Sequence, residues 1–264
     1  MLPIYRIRDG WQSLSENQKT FDTCEKLFLK NGAIIIFPEG NHGDQRRLRP
    51  LSKGFTRLAF ETLQKQTNVK ISIIPVGLNY TDPQAFRSSV SVYFGEAILA
   101  NDYFKEPKQR ATNQLRNDLA NRLKQLITHV EDTDHYDQII QRLELTHPNY
   151  LDPDDTNERI SRILKGEVLP ITPLKKEGFA WMFNLLFSLS FVINFIPLMI
   201  WRKVKSGIKD PVFIASLKSI FGIFLFPFYY FLTCWLIYEL FGAFIAISWC
   251  FVSFPSMLFL KKSF

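Results

Sequence analysis

Cysteine is scarce in this chain, three among 264 residues, with Cys24 in a helical pattern and Cys234 and Cys250 inside apolar runs. An odd total without paired spacing excludes a disulfide-stapled scaffold and a cysteine-held zinc site. Histidine is nearly as rare, four in all, and no cluster has metal-ligand spacing, so neither metal nor tightly bound cofactor is expected. Acidic residues almost vanish from the C-terminal third: residues 179–264 hold two acidic and seven basic side chains, whereas residues 1–178 hold 23 and 25. No apolar stretch follows Met1, because Arg6, Arg8 and Asp9 come at once. A cleavable signal is therefore not expected, and the main domain should lie on the cytoplasmic side.

Aromatic residues concentrate where the acids are missing. Residues 179–264 carry 17 of the 25 Phe and four of the five Trp, so the mean hydropathy of −0.02 averages a polar domain with an apolar tail. The formal charge of +7 does not indicate a nucleic-acid partner. The tail's cations, Arg202, Lys203, Lys205, Lys209, Lys218, Lys261 and Lys262, sit at the ends of apolar runs, where cations meet lipid headgroups. Three runs, 179–201, 219–238 and 240–260, are each long enough to cross about 30 Å of hydrocarbon. The last two, separated by Glu239, read as a helical hairpin. The first, interrupted by Asn194 and Pro197 and flanked by cations at both ends, reads as a re-entrant or interfacial segment.

The polar part alternates β-like and helical patterns. Residues 2–7 form a short β-branched run ending at Arg8-Asp9-Gly10, and Ser15 with Gln18 marks a helix start whose apolar stripe stops at Asn31-Gly32. Residues 33–37 are a continuous apolar run of the kind buried on both faces of a parallel sheet. A helix follows around Phe55 to Leu63, then strands at 71–78 and 90–94, a long helix over 107–130, and shorter helices near 134–145 and 155–165. The Asp152-Pro-Asp154-Asp155 run suits a helix start. The expected class is α/β, with a mostly parallel sheet flanked by helices and C-terminal transmembrane helices. Three regions follow: a core over 1–105, a charged helical extension over 106–178 and a membrane anchor over 179–264.

The chemistry gathers after the 33–37 run. Phe37-Pro38-Glu39-Gly40-Asn41-His42-Gly43 places Glu39 at a strand's C-terminal edge, where open α/β sheets bind ligands. Arg6 ends another expected strand, and Arg46, Arg47, Arg49, Lys53 and Arg57 follow the loop. Guanidinium groups pair bidentately with phosphate, so these residues suit a phosphate pocket; the plainer alternative is a solvated basic loop. Asn79-Tyr80-Thr81 matches a glycosylation acceptor, but a cytoplasmic strand end would never meet the transferase.

The ordered set Pro3-Ile4-Tyr5-Arg6, Phe37-Pro38-Glu39-Gly40 and Ile74-Pro75-Val76 resembles the second, third and fourth blocks of the glycerolipid acyltransferase family. That resemblance covers about residues 1–100 and implies a fatty acyl transfer from acyl-CoA or acyl carrier protein to a hydroxyl of a lysophospholipid or glycerol phosphate. Carried onto this chain, it makes Arg6 the phosphate-binding arginine, Glu39 and Gly40 the acceptor pair and Pro75 a shaper of the acyl or acceptor site. Where the family continues its third block with Thr or Ser and Arg, this chain has Asn41 and His42, with His42 lining the pocket.

The family's first block, a His and an Asp four residues apart, is absent ahead of these blocks, so no catalytic residue is assigned. His147 and Asp152 have that spacing but fall after the other blocks, on a proline-containing turn. The expectation is an integral-membrane acyltransferase of phospholipid biosynthesis, truncated ahead of Met1. The alternative is a membrane-anchored, phospholipid-binding pseudoenzyme or scaffold.

Overall fold

The computed structural model describes residues 16–40, 43, 45–66, 68–83, 85, 88–170, 180–208 and 213–256. They divide into two compact units. One runs to Asn79 and resumes over Val90–Pro170; the other holds the hairpin loop Tyr80–Ser89 and the C-terminal helices.

The first unit opens with α1, Glu16–Leu29, which closes on Asn31 in the left-handed conformation, φ 55°. Gly32 N–H donates to Leu27 O and Asn31 N–H to Phe28 O, the paired bonds that satisfy a helix's last carbonyls. The expected starter Ser15 lies outside the described residues. Helix α2, Gly54–Lys65, buries Phe55, Leu58, Ala59, Phe60 and Leu63. The stripe of α4, Lys108–Leu126, packs Leu115, Leu119 and Leu123 into the same core. Residues 106–126 thus share a core with the segment that holds Glu39.

The sheet differs from expectation. Strands β1, Ser72–Ile73, and β4, Ile98–Leu99, pair antiparallel. Strands β2, Val76–Tyr80, and β3, Val90–Phe94, also pair. Gly95 N–H donates to Pro75 O and Thr81 N–H to Ser89 O, a register that only an antiparallel ladder gives. A parallel sheet is not found among the described residues. The physical reason is the connection over 81–89, since a parallel crossover needs a dozen or more residues. Residues 33–37, expected as a buried strand, have no ladder partner among the described residues. Ile34 and Ile36 turn to the core while Ile35 and Phe37 are 86% and 76% exposed. On the hairpin, the register sets Val76 opposite Phe94 and Leu78 opposite Val92, and all four are exposed. Its other face is packed so closely that a Cβ on Gly77 would lie 2.3 Å from Leu126 O.

The helix expected over 107–130 ends at Leu126 because the next carbonyls and amides are taken by side chains. Asn79 Nδ2 donates to Leu126 O at 2.9 Å, and Asn79 Oδ1 accepts Thr128 N–H at 2.9 Å. Asn157 Nδ2 donates to Ile127 O and its Oδ1 accepts His129 N–H, both at 2.9 Å. The 126–130 strap is thus stitched on both sides without a β-ladder, which meets the hydrogen-bonding demand of its buried backbone. Helices α3, Ala100–Tyr103, and α5, Tyr136–Glu144, complete the unit with α6, Pro153–Leu164. Asp152 caps α6, accepting the N–H groups of Asp154 and Asp155.

In the second unit, α7, Ala180–Ile193, and α8, Phe195–Ser206, meet at Asn194, where the chain bends by 77°. Helix α9, Ile214–Phe241, has 28 residues, about 42 Å at the helical rise, and is long and apolar enough to cross a membrane. It runs through Glu239, expected as the hairpin turn, and stops at Gly242. The turn needs φ 85° there, a conformation open to glycine, before α10, Ala243–Ser256. Asn194 is fully buried. Its Nδ2 donates to Ser190 O and Ser256 Oγ, both at 2.8 Å, and its Oδ1 accepts the Tyr230 hydroxyl at 2.6 Å. One amide therefore ties the bend to α9 and α10. Asn194→Leu should cost this bundle about 1–2 kcal/mol, by the usual worth of interhelical hydrogen bonds in membranes. Thermal unfolding of the detergent-solubilised chain reads the loss; an unchanged transition would show that packing alone holds the bend.

Candidate functional site

The Pro38-Glu39-Gly40 corner begins a loop that closes on itself. Gly40 takes φ 70°, which lets the chain turn after the 33–37 run. Ser52 N–H donates to Pro38 O at 2.8 Å, and Arg49 N–H donates to Glu39 Oε2 at 3.2 Å. The Glu39 carboxylate is thus fixed at the neck of a loop carrying Arg46, Arg47 and Arg49. Gly43 lies under Arg49, where a Cβ would come within 2.8 Å of its Nε. Asn41 and His42 lie outside the described residues, as does Arg6.

The loop's far side is gripped by residues 129–150. Val130 N–H donates to Arg46 O at 2.9 Å, Arg46 N–H to the Tyr136 hydroxyl at 2.7 Å, and Leu48 N–H to His129 Nδ1 at 2.9 Å. The Arg46 guanidinium rests over the Tyr150 ring, 3.4 Å from its centroid, a cation–π contact. Burial, with the Glu144 carboxylate beside it, pushes the Tyr150 phenol up, so it stays protonated and donates to Glu144 Oε1 at 2.5 Å. Arg116 anchors the end of the loop by donating to Leu51 O.

The basic side chains of the expected phosphate pocket are therefore not equivalent. Arg57 pairs with Glu61 at 2.7 Å, and Arg46 stacks on Tyr150. Arg47 has its Nε buried and without a hydrogen-bond partner among the described residues. Its charge is among those that disfavour the His129 imidazolium.

Pro75 is fully buried where the two ladders meet, and its described contacts are with Gly95 in the hairpin. The structure thus brings Glu39 and Gly40 to the arginine-rich loop and gives Pro75 surroundings in the sheet.

His147 takes a left-handed φ of 47° after α5, and the carboxylate at its nominal spacing, Asp152, is engaged in capping α6. Two other histidines have carboxylate partners. His135 Nδ1 lies 2.8 Å from Asp132 Oδ2, and His129 Nε2 lies 2.9 Å from Glu131 Oε2. Family spacing could not find His129. Its bond to Leu48 joins residues 81 apart in sequence, which no local pattern reports.

Residues 2–79 match the acyltransferase family. Glycerol-3-phosphate O-acyltransferase 1 of Saccharomyces cerevisiae is 41% identical over 68 residues, which cover 26% of this chain and 9% of that protein. An uncharacterised acyltransferase of Schizosaccharomyces pombe is 30% identical over 98 residues, 36% of this chain and 14% of that protein. Glycerol-3-phosphate O-acyltransferase 2 of S. cerevisiae is 25% identical over 123 residues, 45% and 17%. The matched stretch thus spans less than a fifth of each of these relatives. No solved structure matches the chain.

Proposed function

We propose that the protein transfers a fatty acyl group to a hydroxyl of glycerol phosphate or a lysophospholipid in phospholipid biosynthesis, a reading supported by the acyltransferase-family match over residues 2–79 and by the similarity to two yeast glycerol-3-phosphate O-acyltransferases. The acyl donor is a thioester, acyl-CoA or acyl carrier protein. The observation that carries this reading is Glu39, held by Arg49 N–H at the neck of an arginine-rich loop inside the family segment. In the reaction, the acceptor hydroxyl oxygen attacks the thioester carbonyl, the C–S bond breaks, and the hydroxyl proton passes to a base while the thiol leaves. Backbone donors or cations beside the pocket stabilise the tetrahedral oxyanion. Arg6 and Arg47 hold the acceptor phosphate, Glu39 and Gly40 orient its hydroxyl end, and Asn41 and His42 take part in the same substrate binding. Pro75 acts through the hairpin it packs. Helix α9, with its flanking cations, anchors the chain in a bilayer and keeps the catalytic unit on the cytoplasmic side.

The second reading is a pseudoenzyme or scaffold that binds phospholipid without turnover. It draws on one specific observation: Asp152, the acid at catalytic spacing from a histidine, is spent as a helix cap. A transfer assay on the natively expressed membrane protein, with labelled acyl-CoA and either glycerol 3-phosphate or lysophosphatidate, separates the two. Under the enzyme reading, Arg6→Ala should raise the acceptor KM about 10- to 100-fold, the worth of a charge-assisted phosphate contact, with a smaller change in kcat. Absence of turnover with retained binding to phosphatidate-containing vesicles would establish the scaffold.

A further inference from the structure

We infer that His129 is a positioning residue, whose neutral imidazole latches the arginine-rich loop beside Glu39 by accepting the Leu48 N–H. The role of the loop in acceptor binding rests on the proposed function; the latch itself rests on geometry.

Nδ1 of His129 lies 2.9 Å from Leu48 N, and a backbone N–H can only donate, so Nδ1 carries no proton. The ring proton then resides on Nε2 and is donated to Glu131 Oε2 at 2.9 Å. Glu131 is in turn fixed by Lys124 Nζ, 2.6 Å and 2.9 Å from its two oxygens. The His129 backbone is pinned independently, its N–H donating to Asn157 Oδ1. Both ends of the imidazole thus have assigned partners and its backbone cannot drift, so the ring sets where Leu48 sits. Leu48 is itself buried, and it lies between Arg47 and Arg49. Displacing it moves both guanidinium stems and the Arg49 N–H that holds Glu39.

The same arrangement makes the latch sensitive to acid. An imidazolium is a donor at both nitrogens and has no lone pair for the Leu48 N–H. The charged groups facing the ring are Glu131, Lys124 and Arg47. Burial first, then Lys124 and Arg47, disfavour the cation; Glu131 opposes them, and the balance lowers the His129 pKa. Because the folded pKa lies below the unfolded one, the latch's contribution is complete above the unfolded value, about pH 6.5, and is lost as the pH falls from there through the lower folded pKa.

The test compares the full chain with His129→Asn and His129→Ala in detergent or vesicles. Asparagine places Oδ1 near the position of Nδ1 and cannot titrate. Hydrogen exchange of the peptide covering 45–52, corrected for intrinsic rates, is read from pH 5 to pH 8. The parent should lose about tenfold protection in acid, the worth of one buried hydrogen bond. His129→Asn should keep its protection throughout, and His129→Ala should lack it throughout. Protection that is independent of pH in the parent, or undiminished in His129→Ala, would overturn the latch. Should His129→Ala fail to fold, the parent and His129→Asn profiles still decide. Acceptor KM is measured on the same samples and should follow protection, with kcat little changed. Protection that responds as described while KM does not would keep the latch and refute the loop's place in acceptor binding.

Discussion

Asn79→Ala should destabilise the first unit by about 2–4 kcal/mol, among the largest losses any single polar side chain of this fold can produce. Asn79 is 3% exposed, and its amide satisfies both Leu126 O and Thr128 N–H. Neither group has a sheet partner, and alanine would leave a buried acceptor and a buried donor without bonds, at about 1–3 kcal/mol each. Asn79→Asp provides the control: it keeps an acceptor for Thr128 but turns a lone pair toward Leu126 O, so it should not rescue. Denaturant titration followed by circular dichroism, or exchange of the peptide covering 126–130, measures the loss. An Asn79→Ala variant within 0.5 kcal/mol of the parent, the range of an ordinary surface change, would show that water reaches the strap. The same bonds bear on the Asn79-Tyr80-Thr81 acceptor pattern, since the folded chain buries the Asn79 amide and holds its nitrogen on Leu126 O.

The second large effect is on activity. Glu39→Ala removes both the carboxylate and the anchor for Arg49 N–H and, under the proposed acyl transfer, should lower kcat/KM for the acceptor about 10- to 150-fold, the range of a charged hydrogen bond of 1.5–3 kcal/mol. Glu39→Gln separates the two contributions, because its Oε1 still accepts from Arg49 while the charge is gone. If the carboxylate orients the acceptor or organises the cations about it, Glu39→Gln should fall nearly as far as Glu39→Ala. If Glu39 only ties the loop, Glu39→Gln should match the parent, and Glu39 would leave the site and remain a structural residue. Exchange protection of the 45–52 peptide in both variants shows which loops stayed closed.

The helices of this chain were legible wherever an apolar stripe ran long enough: Leu115, Leu119 and Leu123 in α4, the face of α2, and the runs of α7 to α10. The Asp152 cap was legible as well, since its chemistry lies within three residues. The sheet was read less well. Periodicity reports that residues 33–37 are apolar and β-branched, but says nothing of whether a neighbour supplies a ladder, and Ile35 and Phe37 are exposed. The strap at 126–130 carried no strand signature because its partners are side-chain amides from Asn79 and Asn157. For the site, Glu39 and Gly40 could be found because their motif is contiguous. The grip of His129, Tyr136 and Tyr150 on the loop could not, because those residues lie some 80 to 100 positions further along the chain.

That grip sets where the chain can be cut and rejoined. A chimera spliced at residue 79 would transplant the Phe37-Pro38-Glu39-Gly40 block and its arginines while leaving behind the imidazole and phenols that hold them. The smallest exchangeable module runs on through α6, and a graft respecting that boundary carries the loop together with its setting. Conversely, substitutions confined to 129–150 offer a way to retune the loop without touching the Phe37-Pro38-Glu39-Gly40 motif and, where the loop holds an acceptor as proposed, to shift its preference while the motif reads the same.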